Sequence, residues 1–197
     1  MLIFFISTKA QIIELFEKKT YSKGYIITVK KDTINGFIVD TDEYNGKVKY
    51  KINQDDKSPQ KINASEIDQM KVSYNFFDKV NCKNKSYLMK RIIKGEISFY
   101  KYTFTRTMPT GPMGPMGGSY MSTSESESYY LIKGVNTIKI KKRKLHKVLK
   151  ELMVDFPEIY PEIDKLDTDI DLDMIEYYLR NLVNEYNYMI KVNKNKL

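Results

Sequence analysis

The sequence predicts an α+β fold, with an N-terminal small antiparallel β-unit followed by further strands and C-terminal helices. Three observations predict it. Between residues 24 and 77, β-branched and aromatic runs alternate with turn signals. The 197 residues include 16 Tyr and 9 Phe but no Trp, a composition that favours strands and opposes disorder. After Leu145, apolar residues recur with a helical period.

Residues 11–19 read as two weak turns of amphipathic helix. Tyr25-Ile26-Ile27-Thr28-Val29 is the first strand, Lys30-Lys31-Asp32 a tight turn, and Thr33 to Val39 the second strand. Asn45-Gly46 is a strong turn signal. The next run, Lys47 to Ile52, alternates so that Val48, Tyr50 and Ile52 share a face. Ile62, Ile67, Met70 and Val72 continue the apolar set. Residues 24–77 therefore form the first expected unit.

A Lys- and Asn-rich connection spans Asp78 to Lys85. The second expected unit covers residues 86–190. Ser86 is placed to cap a short helix from Tyr87 to Lys94, with Leu88 and Ile92 on one face and Gly95 at its end. Glu96 to Arg106 is a long strand. Tyr129–Lys133 and Thr137–Lys141 form a hairpin about Gly134-Val135-Asn136. Between these strands, residues 107–128 are rich in Gly, Pro, Met and Ser and are expected to be a mobile loop. Leu145, Val148, Leu149, Leu152, Met153 and Phe156 stripe a helix. Asp173 and Glu176 open the last helix in capping-box fashion. Ile175, Leu179, Leu182 and Tyr186 stripe it, and fraying is expected after Met189.

No stretch approaches the ~20 apolar residues of a membrane span. Met1 to Ile6 is a short apolar run, and Ser7-Thr8-Lys9-Ala10 follows it. Residues 1–10 read as a truncated signal-peptide remnant cleaved before Gln11, or as an ordinary N-terminal strand. One cysteine, Cys82, permits no intrachain disulfide, and one histidine excludes a multi-histidine metal site in a single chain. The formal charge of +8 attracts anions. Lysine greatly outnumbers arginine, which weighs against the arginine forks of nucleic-acid readers.

Several segments resemble a group of uncharacterised exported bacterial proteins. The resemblance rests on Gly24-Tyr25-Ile26-Ile27-Thr28-Val29 with Asp32-Thr33-Ile34-Asn35-Gly36-Phe37-Ile38. Leu88 to Gly95 leading into Ile97-Ser98-Phe99-Tyr100, the Gly/Met-rich loop, Tyr129 to Gly134, and Phe156-Pro157-Glu158 also carry it. Such proteins often have glycine where Lys31 stands. The resemblance implies export, to the periplasm, the outer membrane or the medium. It brings no catalytic residues.

The candidate chemistry is thin. Met108, Met113, Met116 and Met121 offer thioethers that suit Cu(I), but their spacing is that of Gly-Pro triplets, and the loop has no His or Cys. Seven of the twelve residues from Lys139 to Lys150 are Lys or Arg, which suits phosphates but reads foremost as a strand end feeding a helix with solvated lysines, because no aromatic residue interleaves the run. The acidic run Asp167 to Asp173 fails the calcium-loop pattern, with Leu172 at the glycine position and Tyr178 at the bidentate glutamate position. His146 among lysines and Cys82 in Asn-Cys-Lys-Asn-Lys lack marked partners. No catalytic, cofactor-binding or metal residue is assigned, and no cofactor is expected. The leading reading is a non-enzymatic exported or envelope-associated binding or structural protein with an envelope or protein partner. The alternatives are a cytoplasmic nucleic-acid or anion binder, and an enzyme with an unmarked carboxylate or cysteine site.

Overall fold

Tight turns set the topology. The computed structural model describes residues 20–110, 120–166 and 172–195. The expected remnant 1–10, the helix at 11–19, the centre of the Gly/Met segment and most of the acidic run lie outside the described residues. Strand β1 (Tyr21–Thr28) turns into β2 (Thr33–Val39) through Lys31, whose φ is 71°. There the Lys31 N–H donates to the Thr28 carbonyl at 2.9 Å. Strands β3 (Lys47–Lys51) and β4 (Gln60–Asn63) follow Gly46, also left-handed at φ 76°. A single 3-10 turn leads to β5 (Ile67–Val72).

Three hairpins with two-residue loops come next. Ser73-Tyr74 joins β5 to β6 (Asn75–Cys82), and Lys83-Asn84 joins β6 to β7 (Lys85–Ile93). Gly134-Val135 joins β9 (Tyr120–Lys133) to β10 (Asn136–Lys139). Ser73, Lys83 and Gly134 adopt φ of 54°, 53° and 57°, the left-handed first position that matches hairpin twist. Strand β8 is Ile97–Thr110.

All ten strands form one sheet in the order β10-β9-β8-β7-β6-β5-β1-β2-β3-β4, with every pairing antiparallel. With the C-terminal helices this is an α+β architecture in which the sheet dominates.

Five expectations change. The connection expected from Asp78 to Lys85 is the second half of β6 with its two-residue turn into β7. The helix expected from Tyr87 to Lys94 is strand β7, because it pairs with β6 from Lys85 to Arg91 and buries both Leu88 and Met89 on opposite faces. Much of the expected loop 107–128 is strand: β8 and β9 pair in register out to Thr110↔Tyr120. Ile52 is 46% exposed instead of joining Val48 and Tyr50 inside, because β3 ends at Lys51. The last helix does not fray at Met189 but runs to Lys194.

Helices α1 (Leu145–Leu152), α2 (Tyr160–Asp164) and α3 (Leu172–Lys194) cover one face of β7–β10. Leu149, Ile163, Leu179, Val183 and Tyr186 pack there on Ile97, Phe99, Tyr129 and Leu131. Asn187 of α3 fastens the strand start. Its carboxamide accepts from the Ile97 N–H and donates to the Ile97 carbonyl, both at 2.8 Å. At the other end of the same face, β1–β5 close over Ile26, Ile38, Val48, Met70 and Phe77. Tyr44, from the β2–β3 connection, meets Phe77 edge-on at 4.7 Å.

Among the described residues no helix lies on the opposite face. Its cluster (Val80, Met89, Tyr100 and Tyr130, with Cys82, Tyr87, Tyr102 and Ile132 beside it) is made of strand residues alone.

Candidate functional site

Strand register places one row of side chains straight across the uncovered face. Asn35 is opposite Tyr25, Tyr25 opposite Lys71, and Lys71 opposite Phe76. Phe76 is opposite Arg91, and Arg91 opposite Tyr100. Tyr100 is opposite Tyr130, and Tyr130 opposite Lys139. Eight strands thus contribute one residue each, and aromatic rings alternate with cations along most of the row. At ~4.8 Å between neighbouring strands the row is about 34 Å long.

The cations lie against the rings. The ammonium of Lys71 and the guanidinium of Arg91 sit 5.1 and 5.3 Å from the Phe76 centroid. Lys139 is 5.8 Å from the Tyr130 ring. Along β8, Tyr102 stacks with Phe104 at 5.6 Å, and Arg106 covers Phe104 at 5.0 Å. Each contact keeps a positive charge over a negative ring face at little desolvation cost.

Charge divides between the two faces. On β5–β10 the uncovered face carries Lys71, Lys85, Arg91, Arg106 and Lys139 against one acid, Asp78. Asp78 is consumed. Arg91 donates to both its oxygens, and the Tyr100 hydroxyl donates to Oδ2 at 2.9 Å. Burial and the Asp78 charge push the Tyr100 phenol up to about 12, so it stays a donor. Among the described residues, Lys71, Lys85, Arg106 and Lys139 have no carboxylate partner.

On the helix-covered face Lys90, Lys101 and Lys133 meet carboxylates, while Lys79 donates to the Ser65 carbonyl. Lys90 meets Asp42 at 3.1 Å, and Lys133 meets Asp155 at 2.9 Å. Lys101 lies 3.0 Å from Glu127 and 3.6 Å from Glu176. The Tyr129 hydroxyl reaches both of these carboxylates, at 2.8 and 3.1 Å, and Arg180 donates to Glu176 at 2.7 Å. Burial works against ionised Glu176, but Arg180, Lys101 and Tyr129 outweigh it and hold its carboxyl below the ordinary value of 4.5. Two carboxylates around a phenol resemble an acid–base pair. Every member is already bonded to another, however, and neither surface depression described below reaches them. The cluster ties α3 to the sheet.

The residues singled out in the sequence are scattered. Met108 is 52% exposed on β8, while Met113, Met116 and the side chain of Met121 lie outside the described residues. Of the basic run, Lys139 joins the row. Residues Lys142–Lys144 form a 3-10 turn, and Leu145 starts α1. His146 Nε2 lies 2.7 Å from the Leu166 carbonyl oxygen, a contact internal to the helical layer. Cys82 is half-buried; burial pushes its thiol up against the pull of Lys139, which opposes thiolate chemistry. Among the described residues no three of His, Cys, Asp or Glu converge as metal ligands do, and no helix is long and apolar enough to cross a membrane.

The basic aromatic row was invisible in the sequence because its members come from eight strands. The usable signal was the excess of Tyr, Phe and Lys; its arrangement needed the register. No family model matches this chain, and no curated protein or solved structure matches it either.

Proposed function

We propose that the uncovered sheet face binds single-stranded nucleic acid. The observation that carries this reading is the cross-strand row in which rings alternate with cations, four basic side chains of the face having no carboxylate partner among the described residues. Sequence-tolerant single-strand binders need cations for the backbone and ring faces for the bases. Arginine forks serve groove reading in duplexes, so a lysine-rich composition does not oppose this use. Phe76, 37% exposed between Lys71 and Arg91, is the ring best placed to take a base.

The test is fluorescence anisotropy with a labelled oligonucleotide of about 16 nucleotides. Four uncompensated cations predict a log–log salt slope of about −3, and a roughly fifty-fold loss of affinity between about 50 and 200 mM salt. Lys71→Glu with Lys139→Glu flattens that slope, whereas Lys191→Glu on α3 leaves it unchanged. Phe76→Ala weakens binding by about 5- to 100-fold through lost stacking. Absence of binding at low salt, or equal loss in the α3 variant, sinks the proposal. Binding of an acidic polysaccharide that ignores Phe76→Ala, with no such effect on oligonucleotide either, replaces it with a general polyanion surface.

A further inference from the structure

The row ends on β1 and β2 in a surface depression of ≈ 480 Å³. Gly24 lines it with backbone alone, and its wall is the β5–β6 turn, where Ser73 is left-handed and Tyr74 is 93% exposed. Lys23, Tyr25, Asn35, Lys71, Ser73 and Tyr74 line it, and no Asp or Glu does. Ser22, also at the rim, spends its hydroxyl on Asp40 at 2.7 Å. The other polar side chains of the lining make no hydrogen bond or ion pair with the described residues; Lys71 only lies against Phe76.

A second depression, of ≈ 490 Å³, offers the contrast. There most of the polar side chains are already committed. Lys79 donates to the Ser65 carbonyl at 2.9 Å, Ser86 to Asn81 at 2.7 Å, and Tyr102 to Asn45 at 2.7 Å. Tyr44 donates to the Val39 carbonyl at 2.6 Å, and Asn63 to Glu66. That depression is held together largely by its own bonds, whereas the first holds two ammonium groups, an amide and hydroxyls with no hydrogen-bond or ion-pair partner among the described residues.

We propose that the Lys23–Lys71 depression binds a phosphomonoester. Two lysines with neutral donors between them suit a charge near −2, which a monoester carries at neutral pH and an internal phosphodiester does not. As the terminal phosphate of a strand lying along the row, the ligand deepens the single-strand reading and rests on it. As a free nucleoside monophosphate it stands without that reading.

Three probes separate these cases: one oligonucleotide with a 5′-phosphate, with a 3′-phosphate, or with hydroxyl ends, and adenosine 5′-monophosphate alone. The expected result is binding at least 5-fold tighter for one phosphorylated end. Lys23→Ala abolishes that preference and leaves the hydroxyl-ended strand bound as before. The preference also fades as pH falls below about 6, where the monoester takes up a proton. Saturable binding of adenosine 5′-monophosphate that Lys23→Ala removes, without an end preference, assigns the depression to free phosphomonoester. Absence of both an end preference and nucleotide binding overturns the proposal. Loss of the hydroxyl-ended strand's own binding at low salt overturns the single-strand reading instead.

Discussion

Lys31 shows how one backbone angle governs a turn. It adopts a left-handed φ of 71° with its side chain 72% exposed, paired to Asp68 at 2.6 Å. A side chain in that conformation costs about 1 kcal/mol relative to glycine, and an exposed ion pair returns little. Lys31→Gly is expected to raise stability by about 0.5–1 kcal/mol, read from the urea midpoint at unchanged m-value. Glu176 makes the pH prediction. Its folded carboxyl is held below the ordinary 4.5, so its contribution is fully present above that value and is lost as pH falls through the folded pKa. Glu176→Gln is therefore expected to lower stability at pH 7 and to flatten the fall in stability below about pH 4.5. Urea titrations from neutral to acid pH check it, and an unchanged acid slope would show that the carboxylate is not coupled to folding.

Among the elements, β7 and the β8–β9 ribbon teach the most. Tyr87, Leu88 and Met89 are consecutive, and β7 buries side chains on both faces, so no period of two shows in its sequence. Its turn, Lys83-Asn84, lacks the glycine that announces most such hairpins. Gly95 is a real signal with another cause. A Cβ there would lie 2.3 Å from the Asn187 amide, so glycine makes room for that side chain instead of ending a helix. Asn187→Leu leaves the Ile97 N–H and carbonyl unmatched and is expected to cost about 2–4 kcal/mol in chemical unfolding. The ribbon beyond Lys101 pairs β8 only with β9, out to Tyr120. There Ser122, Ser124 and Ser126 stand opposite Met108, Arg106 and Phe104. Serine-rich composition reads as loop, yet a ladder partner is enough to hold it as a strand.

At the scale of the molecule, Gly24 and Gly36 let neighbouring strand backbone approach closely. They are paired across β1 and β2, and a Cβ on either would come within 1.9 Å of the Lys71 carbonyl oxygen or 2.2 Å of that of Lys51. Neither clash involves a flexible side chain. Gly36→Ala is expected to destabilise by about 3 kcal/mol, roughly 10 °C in Tm for a chain of this length, checked by calorimetry. Strands β1–β5 close over Phe77 while the helices close β7–β10 over Phe99, and both closures use the same face. The other face carries no helix among the described residues; its strand side chains bury Val80 and Met89, and the cations without a described carboxylate partner are there.

The sequence alone determined the strand class of residues 25–72, the hairpin at Gly134, the apolar stripes of the C-terminal helices and the positive charge. Those features are local: turn chemistry and side-chain period act within a few residues. The tertiary structure alone decided which side of the sheet the helices cover, and so which lysines meet carboxylates and which meet rings. That choice depends on the register of strands far apart in the chain. Tyr25, Lys71, Phe76, Arg91, Tyr100, Tyr130 and Lys139 become neighbours only when every antiparallel pairing between them is in place.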